Sequence, residues 1–229
     1  MDENSYLFRL SAWVLPIFFA VPLHEASHGW VAWKLGDNTA YHMGRVTFNP
    51  IKHIDPFGTI ILPGMLLIIS GGTATFGYAK PVPVNFWNLR RWRRDTVLVA
   101  TAGPASNLIL AFLSALLFHA IPMFPEYIQS WVRATLFASM VINLILFVFN
   151  MLPLLPLDGG RIMVAILPSP LGQLFARLER VGFAIILATL FVLPWLGEQI
   201  GIDLNVFNWL VFQPTQYLME VVAMLVGLE

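Results

Sequence analysis

Five windows of the chain, residues 10–35, 95–118, 131–152, 174–196 and 207–228, are predominantly apolar over about 20 residues each, the length a helix needs to cross a bilayer core. Hydrocarbon offers the backbone no hydrogen-bond partner, so a segment of this kind satisfies its own N–H and C=O groups as a helix. The composition agrees, with 58% of residues hydrophobic and 11% charged, against about 45–50% and about 25% in a soluble domain. A further run at 57–69 is shorter, carries Pro63-Gly64 at its middle and is followed by Gly71-Gly72. Its length favours a re-entrant segment over a span. The expected architecture is an all-α polytopic membrane protein of five to six transmembrane helices, with the lipid bilayer as a partner.

No internal repeat, low-complexity tract or long polar block interrupts this pattern, so residues 1–229 read as one domain in which 36–94 form a loop after the first helix. Asp2 and Glu3 precede the first apolar stretch and no small-residue cleavage site follows it, so it reads as mature structure and not as a signal peptide. Thirteen Lys and Arg balance thirteen Asp and Glu, which leaves no basic face for nucleic acid. Cysteine is absent, so disulfides, thiolate nucleophiles and Cys-containing zinc patterns are excluded. Any metal site is built from nitrogen and oxygen. The densest basic cluster, Arg90, Arg91, Arg93 and Arg94, adjoins the second span and sets that end in the cytoplasm. With 57–69 dipping in and out, 11 Lys and Arg lie inside and 2 outside; with 57–69 spanning, the split is 9 to 4. The first arrangement is preferred.

Within the first span lies His24-Glu25-Ala26-Ser27-His28, an H-E-x-x-H run whose two imidazoles fall on one helical face, one turn apart. Two such rings hold one zinc, and Glu25 projects about 100° round the helix, beside the position where an attacking water sits. Three ionisable groups are costly within an apolar span, which makes this an intramembrane site. A catalytic zinc takes a third protein ligand, and Asp37, His42, His53, Asp55, His119 and Asp158 are the candidates. Asp158 stands out, because it follows Pro153 and Pro156 and precedes Gly159-Gly160, an irregular backbone that must line a cavity at membrane depth. A helix cap at the membrane surface is the other explanation of Asp158.

The chain resembles the site-2 protease family of intramembrane zinc metalloproteases. The resemblance rests on H-E-x-x-H at 24–28 paired with N-x-x-P-x-x-x-L-D-G at 150–159, with Phe76 to Asn85 and Ala102 to Asn107 similar to the family's inner blocks. It implies one zinc per chain held by His24, His28 and Asp158, with Glu25 as general base. It implies a site open to the cytoplasm, and a short membrane-re-entrant β structure between the first and second catalytic helices. Asn150 is then a catalytic helper at the oxyanion and Asn107 a substrate-binding residue; interhelical hydrogen bonding is the alternative for both. The partner implied is a transmembrane protein or peptide, unwound locally and paired with an edge strand near Gly77 to Val84. No insert leaves room for a PDZ domain, so the compact branch is the closer match. Gln213, Gln216 and Glu220 form a polar face on the last helix, read as a bundle interface. A zinc-handling transporter is the competing function, and it has no need of a general base at Glu25. A silent relative and a di-iron hydroxylase fit less well, the latter because the five His are scattered at 24, 28, 42, 53 and 119.

Overall fold

A computed structural model of the chain describes residues 5–69 and 80–228. Among the described residues, five helical stretches are long and apolar enough to cross a membrane: Leu7–Lys34, Trp92–Met123, Glu126–Met151, Glu179–Ile200 and Asn208–Val226. Helix α1, Tyr6–Lys34, starts where the Ser5 side chain accepts the Phe8 N–H at 3.1 Å and satisfies one of the free amides of the first turn. A short helix α2, Thr39–His42, and a 3-10 turn, Pro50–His53, follow. A π-turn, Pro56–Ile61, leads into α3, Leu62–Ile69. Together these last two hold fourteen residues, a rise of about 21 Å against a core of about 30 Å. The expected short β structure falls partly on residues 70–79, outside the described residues; no strand occurs among the described ones.

Helix α4, Trp92–Leu117, continues as a 3-10 turn to Met123, and α5, Glu126–Met151, returns antiparallel to it. Asp95 in the first turn of α4 is fully enclosed, accepting the Arg91 N–H at 2.8 Å and pairing with Arg94 at 2.9 Å. After α5 the backbone breaks at Pro153 and Pro156, the latter following a cis peptide bond, and α6 begins at Asp158 and runs to Ile166. The apolar window that begins at 174 divides at Arg177-Leu178: α7 covers Ser169–Ala176, and α8, Glu179–Leu187, passes through a π-turn into α9, Leu193–Ile200. Helix α10, Gln213–Val226, extends a π-turn that starts at Asn208.

Helices α1, α4 and α5 pack on one another, with α6 against α4. Their contacts are made largely by small residues, among them Ala20, Ala111, Ala115 and Ala138, all fully buried, joined by Leu144, while many larger side chains, among them Leu98, Ile109 and Phe112, point outward. Lipid is as apolar as these side chains, so helix association in a membrane depends on close backbone approach and on buried polar pairs rather than on hydrophobic burial. That close approach brings the polar faces of α1, α4 and α5 together at the centre of the bundle.

Candidate metal centre

The four-residue spacing of His24 and His28 stacks both rings on the face of α1 that meets α4 and α6, where both are buried. Their Nε2 atoms lie 3.0 Å apart. Each is 3.2 Å from Oδ2 of Asp158, the first residue of α6. The other ring nitrogens are engaged elsewhere. His28 Nδ1 donates to the Val99 carbonyl at 2.7 Å, and His24 Nδ1 donates to Asn107 Oδ1 at 2.6 Å. With both protons on Nδ1, both Nε2 atoms present lone pairs. Three electron-pair donors thus converge, and Asp158 Oδ2 is buried with no hydrogen-bond donor among the described residues. Such a cluster is repulsive without a cation among its members. Tetrahedral zinc at about 2.0–2.1 Å from each ligand spaces ligand atoms by about 3.3 Å. The observed separations of 3.0 to 3.2 Å therefore suit that ion with a small outward adjustment.

Helix α4 faces this cluster with Gly103. A Cβ there would lie 2.3 Å from His28 Nε2 and 2.6 Å from His24 Nε2. A side chain at this position would fill the space that the ligands surround, so the glycine keeps it open.

Glu25 is half-buried on the adjoining face of α1, and its Oε2 accepts the backbone N–H of Val82 at 2.7 Å. Val82 is brought there by buried charged groups under the loop. Asp37, fully enclosed at the end of α1, accepts from the backbone N–H and hydroxyl of Thr39, from the Asn85 N–H at 2.7 Å and from Asn88 Nδ2 at 3.0 Å. Burial alone would push the Asp37 carboxyl up, but these donors outweigh it and hold it below the usual carboxylate range. The Arg45 guanidinium donates to the carbonyls of Lys52 and Lys80, the latter at 2.8 Å, and the Lys80 N–H donates to the His53 carbonyl at 2.9 Å.

The remaining candidates for a third ligand lie apart from the histidine pair. Asp55 caps the π-turn, accepting the Gly58 N–H at 2.7 Å, and His53 is buried with Nε2 on the Thr47 carbonyl. His42 is exposed beside Tyr41, and His119 Nε2 meets the Val226 carbonyl at 2.7 Å. Among the described residues, His24, His28 and Asp158 are the group able to hold a metal ion. Asn107 is fully enclosed, with Oδ1 on His24 and Nδ2 on Asn143 Oδ1 at 2.8 Å, which is the interhelical hydrogen bonding weighed from the sequence. Asn150 is half-buried near the end of α5, with Nδ2 on the Leu146 carbonyl at 2.9 Å. The sequence did not single out Val82, whose contribution is a backbone N–H that leaves no trace in side-chain type. It did not single out Asn143 either, although an amide amid an apolar run was a signal of interhelical bonding.

An H-E-x-x-H pair facing a carboxylate from another helix, within a bundle of apolar spans, defines the class: a membrane-embedded metallohydrolase. Known proteins narrow this. The sequence model of peptidase family M50 matches residues 121–193. The chain is 40% identical over 193 residues to the Bacillus subtilis protein named "Putative zinc metalloprotease YwhC", covering 79% of this chain and 80% of that one. It is 28% identical over 185 residues to "Putative zinc metalloprotease Rip2" of Mycolicibacterium smegmatis, covering 81% and 67%. No solved structure matches the chain. The chain belongs to peptidase family M50, the site-2 protease family, and is a membrane metalloendopeptidase that uses zinc.

Proposed function

We propose that the protein is an intramembrane endopeptidase that hydrolyses peptide bonds within or near the transmembrane segments of other membrane proteins, with one zinc held by His24, His28 and Asp158. The observation that carries this reading is the convergence of two His lone pairs and an undonated carboxylate oxygen, 3.0 to 3.2 Å apart, at the centre of the bundle. When bound, zinc supplies Lewis acidity to the attacking water and the scissile carbonyl. Glu25 is the general base. With Oε2 on the Val82 N–H, its other oxygen is left to take the proton from water and pass it to the departing amine. Asn107 serves His24, since its Oδ1 fixes the ring with Nε2 inward. Asn150 serves the oxyanion after its Nδ2 leaves the Leu146 carbonyl.

Lys80 to Val84 run beside Glu25 without regular structure of their own. An unwound stretch of substrate would pair with the part of this backbone that His53, Arg45 and Glu25 do not already hold. The site opens to the cytoplasm, as the 11-to-2 asymmetry of Lys and Arg supports.

Glu25→Gln tests the chemistry. In proteoliposomes holding a single-pass substrate, the variant retains its zinc by elemental analysis and loses cleavage by at least about a hundredfold. Retained cleavage would sink the assignment of Glu25. The chain has no cysteine, so Lys80→Cys, at an exposed position, gives one thiol for labelling. A membrane-impermeant maleimide reaches it from the cytoplasmic face, and labelling from the opposite face alone would invert the topology.

A further inference from the structure

His24 and His28 have their tautomers set by different means. His28 meets a backbone carbonyl directly, at Val99. His24 meets a side-chain amide, Asn107, and an amide can present either oxygen or nitrogen to its neighbour. Something further away must decide which edge faces the ring.

The chain of hydrogen bonds beyond Asn107 makes that decision. Asn107 Nδ2 donates to Asn143 Oδ1 at 2.8 Å and more weakly to the Ala20 carbonyl at 3.4 Å. Asn143 Nδ2 donates to the Ser139 backbone carbonyl at 2.8 Å, one turn earlier in α5. A backbone carbonyl accepts and never donates. It obliges Asn143 to turn its NH2 toward Ser139, which turns its oxygen toward Asn107. Asn107 must then offer its NH2 to Asn143 and its oxygen to His24, and the ring carries its proton on Nδ1. Reversing Asn107 would set oxygen against oxygen at both Asn143 and Ala20. Both asparagines are essentially inaccessible, 0% and 1% exposed, so no water relieves such a contact.

We infer that Asn143 is a positioning residue for the zinc site: it transmits the polarity of the Ser139 carbonyl in α5, through Asn107 in α4, to the lone pair of His24 in α1. The inference rests on the reading of His24 as a zinc ligand and adds a residue that touches neither metal nor substrate.

The test is zinc affinity in detergent, by competition with a chromophoric chelator, together with the absorption spectrum of the cobalt-substituted protein. Asn143→Leu keeps the shape but removes the acceptor, and its affinity falls about ten- to hundredfold, the range seen when a ligand's hydrogen-bond partner is lost. Asn143→Asp, protonated in this apolar setting, still accepts from Asn107 through C=O and donates to Ser139 through O–H. Its affinity and cobalt spectrum stay near wild type. Wild-type affinity in both variants, or an equal loss in both, overturns the inference. If Asn143→Leu does not fold, Asn143→Ala takes its place in the same comparison: lower zinc affinity there with wild-type behaviour in Asn143→Asp upholds the inference, and equal behaviour of the two overturns it. His24→Ala separates the two layers. Zinc retained there defeats the ligand reading, whereas zinc lost there but kept by Asn143→Leu defeats only the role of Asn143.

Discussion

His24 and Glu25 are neighbours in sequence, yet two unlike regions hold them. His24 is held inside the bundle by side chains of α4 and α5, through amides that only helix packing brings within reach. Glu25 is held from the end of the bundle by a loop, through the backbone N–H of Val82, and that loop is pinned by Asp37 and Arg45. The first region is dry and tightly interlocked, so disturbing it should change what the site binds. The second is a surface loop over buried charges, so disturbing it should change how fast bound substrate reacts. Metal affinity and turnover are therefore separable in this molecule, although their key residues are adjacent.

The sharpest break of that separation is Gly103→Ala. Its methyl would intrude to 2.3 Å from His28 Nε2, and the helix backbones cannot retreat without opening the interface. Zinc content measured by elemental analysis should drop below about a tenth per chain, with cleavage lost in parallel, a larger effect than loss of one outer hydrogen-bond partner. Full zinc occupancy in this variant would mean that α4 moves more freely than the packing implies.

An intermediate effect is expected from Asp37→Ala. It removes the acceptor shared by the N–H groups of Asn85 and Thr39 and the Asn88 amide, the bonds that hold this loop to the end of α1. The loop should loosen, kcat should fall about tenfold, and zinc should remain. Val82→Pro, which removes the donor to Glu25 together with the buried Val82 side chain, should also lower kcat and leave zinc in place. A parallel fall in zinc content in either variant would merge the two regions into one.

The smallest effect is one of pH. The Asp37 carboxyl is held below its ordinary value, since its hydrogen bonds outweigh the cost of burial. A depressed folded value means that the contribution to stability is fully present above the unfolded carboxylate value of about 3.9 and is lost as pH falls through the lower, folded one. Protection of residues 80–90 from limited proteolysis should therefore hold from neutral pH into the range where free aspartate titrates, and fail below it. Asp37→Asn should lack that acid step. An identical acid profile in the variant would assign the clamp to other groups.

Much of this protein was legible before any tertiary structure. The five apolar windows correspond to the five helices able to span among the described residues, and H-E-x-x-H placed two imidazoles on one face of the first. The legibility had limits at particular residues. Asp37, His53 and Asp55 looked like candidates for a metal site because their types allow it, yet each is occupied with the loop or a cap. Asn107 was marked as a residue of interest, but which neighbour it serves depended on the rotation of α4 about its own axis.

What the sequence determined by itself follows from local physics: hydropathy over about 20 residues decides what enters lipid, and a period of 3.6 decides which side chains share a face. The meeting of His24 with Asp158, the alignment of Asn107 between His24 and Asn143, and the reach of Val82 to Glu25 were decided by the tertiary structure. These contacts join residues 36 to 134 positions apart, and they depend on how helices rotate and approach. That is fixed by small residues at the interfaces and by hydrogen bonds that close only when the helices are already packed.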